Sequence, residues 1–242
     1  MNSQELDNAI AWRVRNSGTS GRLQAIHRFN PIKLEDLHHI DHQKSELISN
    51  TRQFLGGLPA NNALLWGPRG TGKSSLVKAL LNHFACDGLR LIEVERQDLI
   101  DLPEIIDRLD GNDGKFVVFC DDLSFDEQDQ TYRALKVVLD GSVLSTPDNI
   151  VIYATSNRRH LLPERVSDNL EARPVDGEIH HGEAVEEKIS LSERFGLWLS
   201  FHPFNQEKYL AIVEHWLVEL GAEYNEPARH AALQWAMLHG SR

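Results

Sequence analysis

Apolar and polar positions follow two different spacings across the middle of the chain. Short apolar runs, each ending at a turn-forming or polar residue, predict strands at 63–66, 89–94, 116–120 and 150–155. Helical spacing predicts helices between these strands, at 73–84, 102–109 and 128–139. The run FVVFC at 116–120 is apolar throughout, as is typical of a strand buried on both faces. Alternating strands and helices predict an α/β fold with a parallel sheet flanked by helices.

The flanking segments have other patterns. Residues 1–30 are polar and predict a loosely ordered arm with a short helix near 6–14. Residues 31–55 predict a turn and an amphipathic helix, which Gly56, Gly57 and Pro59 end. A polar, acidic insertion at 167–190 precedes one more strand at 196–201, and helices follow at 206–220 and 227–239. We therefore expect an arm (1–30), an α/β base (31–202) and a helical lid (203–242).

A phosphate-binding motif follows the first predicted strand of the base. It matches G-x-x-x-x-G-K-[ST] and predicts ATP contacts from Gly67, Pro68, Arg69, Gly70, Thr71, Gly72, Lys73, Ser74 and Ser75. The glycines allow a tight loop whose N–H groups turn toward phosphate oxygens, in front of a helix N-terminus. Lys73 is predicted to reach the β- and γ-phosphates, and Ser74 to help hold Mg²⁺. The alternative is a glycine-rich turn that only resembles the motif.

An acidic pair follows the apolar strand at 116–120. Asp121 and Asp122 are predicted to lie at the carboxyl end of that strand, the edge where ligands bind in open parallel sheets. Asp121 is predicted to hold the metal, and Asp122 to polarise the attacking water. The alternative is an acidic pair that begins a solvated loop.

The order and spacing of the phosphate motif, FVVFCDD and VIYATSN resemble those of the AAA+ ATPases. The stretches IDHQK, NTRQFLGGLPANNALLWGPRGTGKSSLVKALL and EAVEEKISLSERFGLWLSF also resemble a bacterial family of predicted ATPases of unknown function. The resemblance covers about residues 31–242. It implies a P-loop NTPase base with a C-terminal helical lid.

The resemblance implies three further site residues. Asn157 is similar in position to the polar sensor of AAA+ proteins, although an asparagine that only closes a strand turn is the alternative. Arg194, in SERFG, resembles an arginine finger, which acts on a neighbouring subunit and so implies a homo-oligomer. The alternative for Arg194 is an ion pair with Glu186 or Glu187 on a helix face. Ile40 is similar in position to the segment that packs against adenine.

Three features depart from the family pattern. Many AAA+ proteins have Asp-Glu where this chain has Asp121-Asp122, which leaves the catalytic base open. The segment ERQDLIDLP, after Val94, lacks the aromatic-hydrophobic-glycine triplet of the pore loops that thread peptides. Unfolding of proteins through a central pore is therefore disfavoured. The second sensor arginine of the family would lie in the lid, near Arg242. Two lid helices are predicted, and further lid helices remain an open alternative.

The charge composition limits the kinds of partner that the protein is expected to bind. Lysine and arginine total 25 against 36 aspartate and glutamate residues, a net charge of -11, which disfavours bulk electrostatic binding to nucleic acid or membranes but permits a local basic patch. No apolar run approaches the roughly 20 residues of a membrane span, and no secretory signal is visible. We therefore expect a soluble, cytoplasmic protein.

The sequence evidence for a metal site or for a cysteine nucleophile is weaker. His38, His39 and His42 lack a helix-borne glutamate and are better explained as solvated positions than as metal ligands. Cys120, beside Asp121 on an apolar strand, is expected to be a core residue rather than a nucleophile.

Two functions from different classes fit the sequence. The first is Mg²⁺-dependent ATP hydrolysis by a homo-oligomer, driving a conformational change on a client that is protein or nucleic acid, with no membrane involved. The second is a slowly hydrolysing switch or adaptor that presents the acidic insertion to a partner protein. A small-molecule kinase is disfavoured, because Asn157 and Arg194 have no role in it.

Overall fold

The computed structural model describes residues 9–16, 21–29, 31–125, 129–140, 147–159, 161, 173–175, 178–180 and 191–238. Its main sheet has seven strands, which are β1 (Ala11–Asn16), β2 (Gly21–Ala25), β3 (Ala63–Trp66), β4 (Leu89–Val94), β5 (Lys115–Cys120), β6 (Ile150–Ser156) and β9 (Leu197–Ser200). They lie side by side in the order β2-β1-β4-β5-β6-β3-β9. All neighbouring pairs are parallel except β1 and β2. The predicted parallel sheet is confirmed.

The described helices agree closely with the predicted ones. They are α1 (Asp41–Leu55), α2 (Lys73–Phe84), α3 (Leu102–Leu109), α4 (Gln130–Asp140), α5 (Gln206–Glu219) and α6 (Glu226–Leu238). Local signals explain where several of them begin. Gly72 turns the chain into α2 with a left-handed φ of 93°, and Pro103 lies in the first turn of α3, where no backbone donor is needed. The Asn205 side chain caps α5 by accepting a hydrogen bond from the Lys208 amide at 2.9 Å.

The prediction of a helix near residues 6–14 was wrong. Residues 11–16 form β1, which pairs with β4 in parallel and with β2 in antiparallel fashion. The reason lies in a two-residue alternation: Trp12 and Val14 are buried in the core, whereas the side chains of Arg13 and Arg15 reach Glu93 and Glu95. The described part of the expected arm is therefore built into the sheet.

Hydrophobic clusters cover both faces of the sheet. On one face, alternate strand residues such as Ile92 and Val118 pack with α3 and α4. On the other face, residues such as Leu91 and Val117 pack with α1 and α2. Because both faces are buried, the central strands can be apolar throughout, as their sequences indicated. This core fixes the strand ends that carry the polar residues.

The C-terminal helices have a different environment. Neither α5 nor α6 has a fully buried residue, and the Tyr209 hydroxyl joins them by donating to the Ala232 carbonyl oxygen at 3.0 Å. Trp216 of α5 packs against the core cluster that includes Leu37 and Ile40. Within the acidic insertion the structure describes a short antiparallel pair, β7 (Arg173–Val175) and β8 (Glu178–His180). Among the described residues, no helix is long and apolar enough to cross a membrane.

Candidate active site

Polar segments from three strands converge at the carboxyl edge of the sheet. β3 pairs with β6 so that Trp66 lies opposite Ser156, and β5 ends beside β6 with Cys120 opposite Ala154. The segments that follow these strands surround a cleft of about 270 Å³, just below the range of roughly 300–1,000 Å³ for small-molecule sites. Its lining residues are Arg69, Gly70, Thr71, Gly72, Lys73, Ser74, Ser75, Asp121, Asp122, Thr155 and Asn157.

Backbone contacts fix the beginning of the phosphate loop. The Gly67 amide donates to the Ser156 carbonyl oxygen at 3.1 Å, and the Phe201 amide donates to the Trp66 carbonyl oxygen at 2.8 Å. Gly67 has a φ of 140°, and a methyl group there would lie 2.1 Å from the Phe201 carbonyl oxygen. Only glycine fits at this crossing, so the first glycine of the motif is a packing requirement as well as a loop residue.

Lys73 bends back over the loop. Its Nζ donates to the carbonyl oxygens of Gly67 and Pro68 at 2.6 and 2.7 Å, and to Asn157 Oδ1 at 3.3 Å. Burial lowers the pKa of the ammonium group, and Asp122 and Asp121 oppose that shift. The side chain therefore joins the phosphate loop to the end of β6 within one chain.

Ser74 and Asp121 form the pair expected of a magnesium site. The Ser74 hydroxyl donates to Asp121 Oδ1 at 2.5 Å, and the Thr155 hydroxyl donates to the same oxygen at 2.5 Å. A hydroxyl and a carboxylate are hard oxygen ligands, and Mg²⁺ in nucleotide sites takes one or two protein ligands together with phosphate and water. The donor set therefore fits Mg²⁺. Thr155 was not predicted, although a polar residue near the end of an apolar strand was the available signal.

Asp122 has both carboxylate oxygens engaged. Arg69 donates to Oδ2 at 3.0 Å and Asn157 donates to Oδ1, while the Asp122 amide donates to the Thr155 hydroxyl at 2.9 Å. The backbone of Asp122 has a left-handed φ of 51°, which aspartate tolerates better than most residues. Arg69, Asp122, Asn157 and Lys73 thus form one continuous polar chain across the cleft.

Ile40 lies beside the phosphate loop but does not line the cleft. It is buried, and a methyl group placed on Gly72 would lie 3.5 Å from its Cδ1 atom. The backbone of Ile40 begins α1 by accepting a hydrogen bond from the Lys44 amide at 2.9 Å. Its predicted contact with adenine stays a prediction.

Arg194 is not brought into the cleft of its own chain. It precedes β9, whose first residue, Leu197, pairs with Ala63 at the amino end of β3. It is therefore at the edge of the sheet opposite the phosphate loop. There it forms an ion pair with Asp140, at the end of α4. The alternative partners named from the sequence, at 186 and 187, lie outside the described residues.

The structure contradicts the expectation for His38 and confirms the one for Cys120. His38 is half-buried with its ring 4.3 Å from that of His215, so the prediction that it is solvated was wrong; packing of α5 on the base covers it. Among the residues that the structure describes, no cluster of histidine, cysteine, aspartate or glutamate is arranged to hold a metal. Cys120 is fully buried, which confirms it as a core residue, and burial raises the pKa of its thiol to about 12.

Comparison with protein families places nearly the whole chain in one group. Residues 7–242 match the family described as "Protein of unknown function (DUF815)". The chain belongs to this family. The match includes the phosphate loop, the acidic pair and the segment around Arg194.

Curated relatives share parts of the sequence. The chain is similar to the replication factor C large subunit of Aeropyrum pernix, with 26% identity over 72% of this chain and 38% of that protein. It is 39% identical to the same subunit of Ignicoccus hospitalis over 30% of this chain and 15% of that protein. It is also 26% identical to the ATP-dependent zinc metalloprotease FtsH of Bacillus subtilis over 62% of this chain and 27% of that protein. The chain thus spans between 15% and 38% of the replication factor C subunits it matches.

Solved structures share the fold. Orc1 of Aeropyrum pernix, in complex with DNA, has a TM-score of 0.53 at 15% identity, covering 75% of this chain and 50% of that one. A RuvB mutant of Thermotoga maritima has a TM-score of 0.51 at 14% identity, covering 84% and 59%. The α/β architecture predicted from the sequence is confirmed: it is the P-loop fold of the AAA+ ATPases, with a mostly parallel sheet flanked by helices.

Proposed function

We propose that this protein is an AAA+ ATPase that hydrolyses ATP with Mg²⁺ and acts as a homo-oligomer. The observation that carries the proposal is the joining of Lys73, Asn157 and Asp122 in one hydrogen-bonded chain beside the Ser74–Asp121 pair. Each residue type matches a task in phosphoryl transfer, and all of them line one cleft.

The site residues divide the work between binding and positioning. The loop amides and the Lys73 ammonium bind the phosphates, and their charge offsets the charge that develops on the γ-phosphate. Asp122 and Asn157, already hydrogen-bonded to each other, orient the attacking water, and Asp122 accepts its proton. Ser74 and Asp121 would hold Mg²⁺, which would supply further charge compensation for the phosphates.

Arg194 is proposed to act on the site of a neighbouring subunit. It lies at the opposite edge of the sheet from its own phosphate loop, so one chain cannot bring both to the same phosphate without refolding. Its ion pair with Asp140 is partly exposed, and such pairs exchange partners at small cost. A phosphate with more negative charge can therefore replace Asp140 when two subunits meet.

The client is proposed to be a protein or a nucleic acid. Replication factor C subunits are among the relatives, and Orc1, which shares the fold, was solved with DNA. The net charge of -11 means that nucleic acid would require a local basic surface. ATP hydrolysis in the oligomer would drive a conformational change on that client.

A second candidate is an ATP-dependent switch or adaptor that hydrolyses slowly. The observation that favours it is the engagement of both carboxylate oxygens of Asp122, by Arg69 and Asn157, which opposes a role as base until one of them is released. ATP binding would then be tight and turnover low.

Measurement of Mg²⁺-dependent ATP turnover against protein concentration separates the two. The motor predicts that turnover per chain rises with concentration, because each site needs an arginine from a neighbour. The switch predicts tight ATP binding with low turnover at every concentration. Absence of ATP binding would overturn both.

A further inference from the structure

Arg69 has a place in the site that the motif alone does not explain. It occupies one of the unspecified positions of the phosphate motif, yet its guanidinium reaches the side of the cleft formed by Asp122. Among the described residues that line the cleft, Lys73 and Arg69 are the two with cationic side chains. Lys73 Nζ is held by carbonyl oxygens of the loop, whereas the exposed guanidinium of Arg69 pairs with Asp122, so the two cations contact different parts of the cleft lining.

Arg69 can leave Asp122 for another anionic partner at little cost in free energy. The side chains of Arg69 and Asp122 are 80% and 53% exposed, and their N–O distance is 3.0 Å. Ion pairs with such exposure contribute little net free energy, because water solvates the separated charges almost as well. Lys73, in contrast, is buried and held by two carbonyl oxygens, so it has much less freedom to move.

A triphosphate brings a stronger partner for Arg69. A terminal phosphate carries more negative charge than a carboxylate and presents oxygens that match the planar guanidinium. Arg69 cannot pair fully with both Asp122 and such a phosphate. Arrival of the phosphate therefore favours a change of partner and leaves Asp122 with Asn157.

Resting on the proposed ATPase function, we propose that Arg69 senses the γ-phosphate within its own chain by exchanging Asp122 for that phosphate. The exchange has two consequences. It makes the site discriminate ATP from ADP, because ADP lacks the group that attracts Arg69. It also releases one carboxylate oxygen of Asp122 only when a triphosphate is bound, so the residue that positions water becomes available together with its substrate.

The test is a calorimetric titration of the full chain, in Mg²⁺, with ADP and with a non-hydrolysable β,γ-imido analogue of ATP. Arg69→Ala should weaken binding of the analogue by roughly 10- to 100-fold, the range of a charge-assisted hydrogen bond, and change ADP binding by less than about threefold. Arg159→Ala is the matched control. Its guanidinium lies 5.7 Å from the ring centre of Trp66, outside the cleft lining, and the variant should bind both nucleotides like the wild type.

A second variant tests the exchange itself. Asp122→Asn removes the charged competitor, so the analogue should bind about two- to fivefold more tightly, the strength of an exposed ion pair. That gain should disappear when Arg69→Ala is added. A gain that persists without Arg69 would overturn the exchange.

The remaining outcomes are distinguishable. If the wild type binds both nucleotides and Arg69→Ala weakens neither, or weakens both equally, the inference fails and the proposed ATPase function stands. If the wild type binds neither nucleotide, the proposed function and the inference fail together.

Discussion

The polar residues at the two edges of the sheet differ in what they contact. At the carboxyl edge, Asn157 accepts a hydrogen bond from Lys73 and donates one to Asp122, and all three residues line one cleft. At the amino edge, Arg194 pairs with Asp140 at the end of a helix, away from that cleft. The same parallel register creates both edges, since β3, β6 and β9 all run in one direction.

The difference shows which functions one chain can supply alone. The carboxyl edge contains, within hydrogen-bonding distance of one another, the groups that we propose bind phosphate, hold the metal and position water. The amino edge contains Arg194, which pairs with Asp140 of its own chain and which we propose acts on the site of a neighbouring subunit. An ATPase built in this way is expected to bind nucleotide as a single chain and to hydrolyse it efficiently only in an assembly.

The sharpest test of the amino edge is Arg194→Ala. Arginine fingers contribute about 10³–10⁵-fold in rate, so we expect turnover to fall by about 10³-fold while ATP binding is kept. Asp140→Asn is the control, because it removes the ion pair and leaves the arginine in place. Steady-state turnover and nucleotide titration measure the two quantities. Normal turnover of Arg194→Ala would place the finger elsewhere.

The corresponding test of the carboxyl edge is Asp122→Asn. General-base catalysis contributes about 10²–10⁴-fold, so turnover should fall by about 100-fold, with ATP still bound. Asp121→Asn is the comparison, because loss of the carboxylate that accepts from Ser74 should weaken Mg²⁺-dependent nucleotide binding itself. Wild-type turnover in Asp122→Asn would assign the base to another residue.

A methyl group added to a glycine should destabilise the fold more at the carboxyl edge than at the amino edge. Gly67→Ala places Cβ 2.1 Å from the Phe201 carbonyl oxygen, at a φ of 140°. Gly196→Ala places Cβ 2.3 Å from the side-chain oxygen of Asn61, with no unusual φ. A side chain can move more easily than the backbone, so Gly67→Ala should lower the free energy of unfolding more, by about 2 kcal/mol. Denaturant unfolding measures this, and equal losses would contradict the difference.

Much of the carboxyl edge could be predicted from the sequence because its motif is local. The phosphate loop, β5 and β6 are contiguous segments, and their order predicts one sheet edge. The Arg69–Asp122 pair could not be predicted, because it joins residues 53 positions apart through side-chain conformations. The N-terminal strands could not be predicted, because the alternation in β1 is only a few residues long and does not distinguish a strand from a short helix. The burial of His38 depends on α5, which follows more than 160 residues later, and no local pattern indicates it.

The smallest expected effect concerns pH and lies away from both edges. Burial lowers the pKa of His38, and the nearby His215, Lys44 and His39 lower it further, while Asp36 opposes them. The folded chain therefore binds this proton more weakly than the unfolded chain, whose histidine pKa is about 6.5. The contribution to stability is fully present above about pH 6.5 and is lost as pH falls through the lower, folded pKa.

Denaturant unfolding between pH 7.5 and 5 measures this contribution. Replacement of His38 by glutamine should reduce the loss of stability on acidification, whereas replacement of the exposed His42 should leave it unchanged. An identical pH dependence in the His38→Gln variant and the wild type would contradict this role.

The central claim, that the carboxyl edge is an ATP site, is tested most directly by titrating Mg·ATP into the wild type and the Lys73→Ala variant in a calorimeter. Lys78→Ala, on the same helix but outside the cleft lining, is the control for a lost positive charge. The account predicts saturable binding by the wild type and by Lys78→Ala, and at least tenfold weaker binding by a Lys73→Ala variant that still unfolds in one cooperative transition without nucleotide. Equal affinity in all three proteins would contradict it.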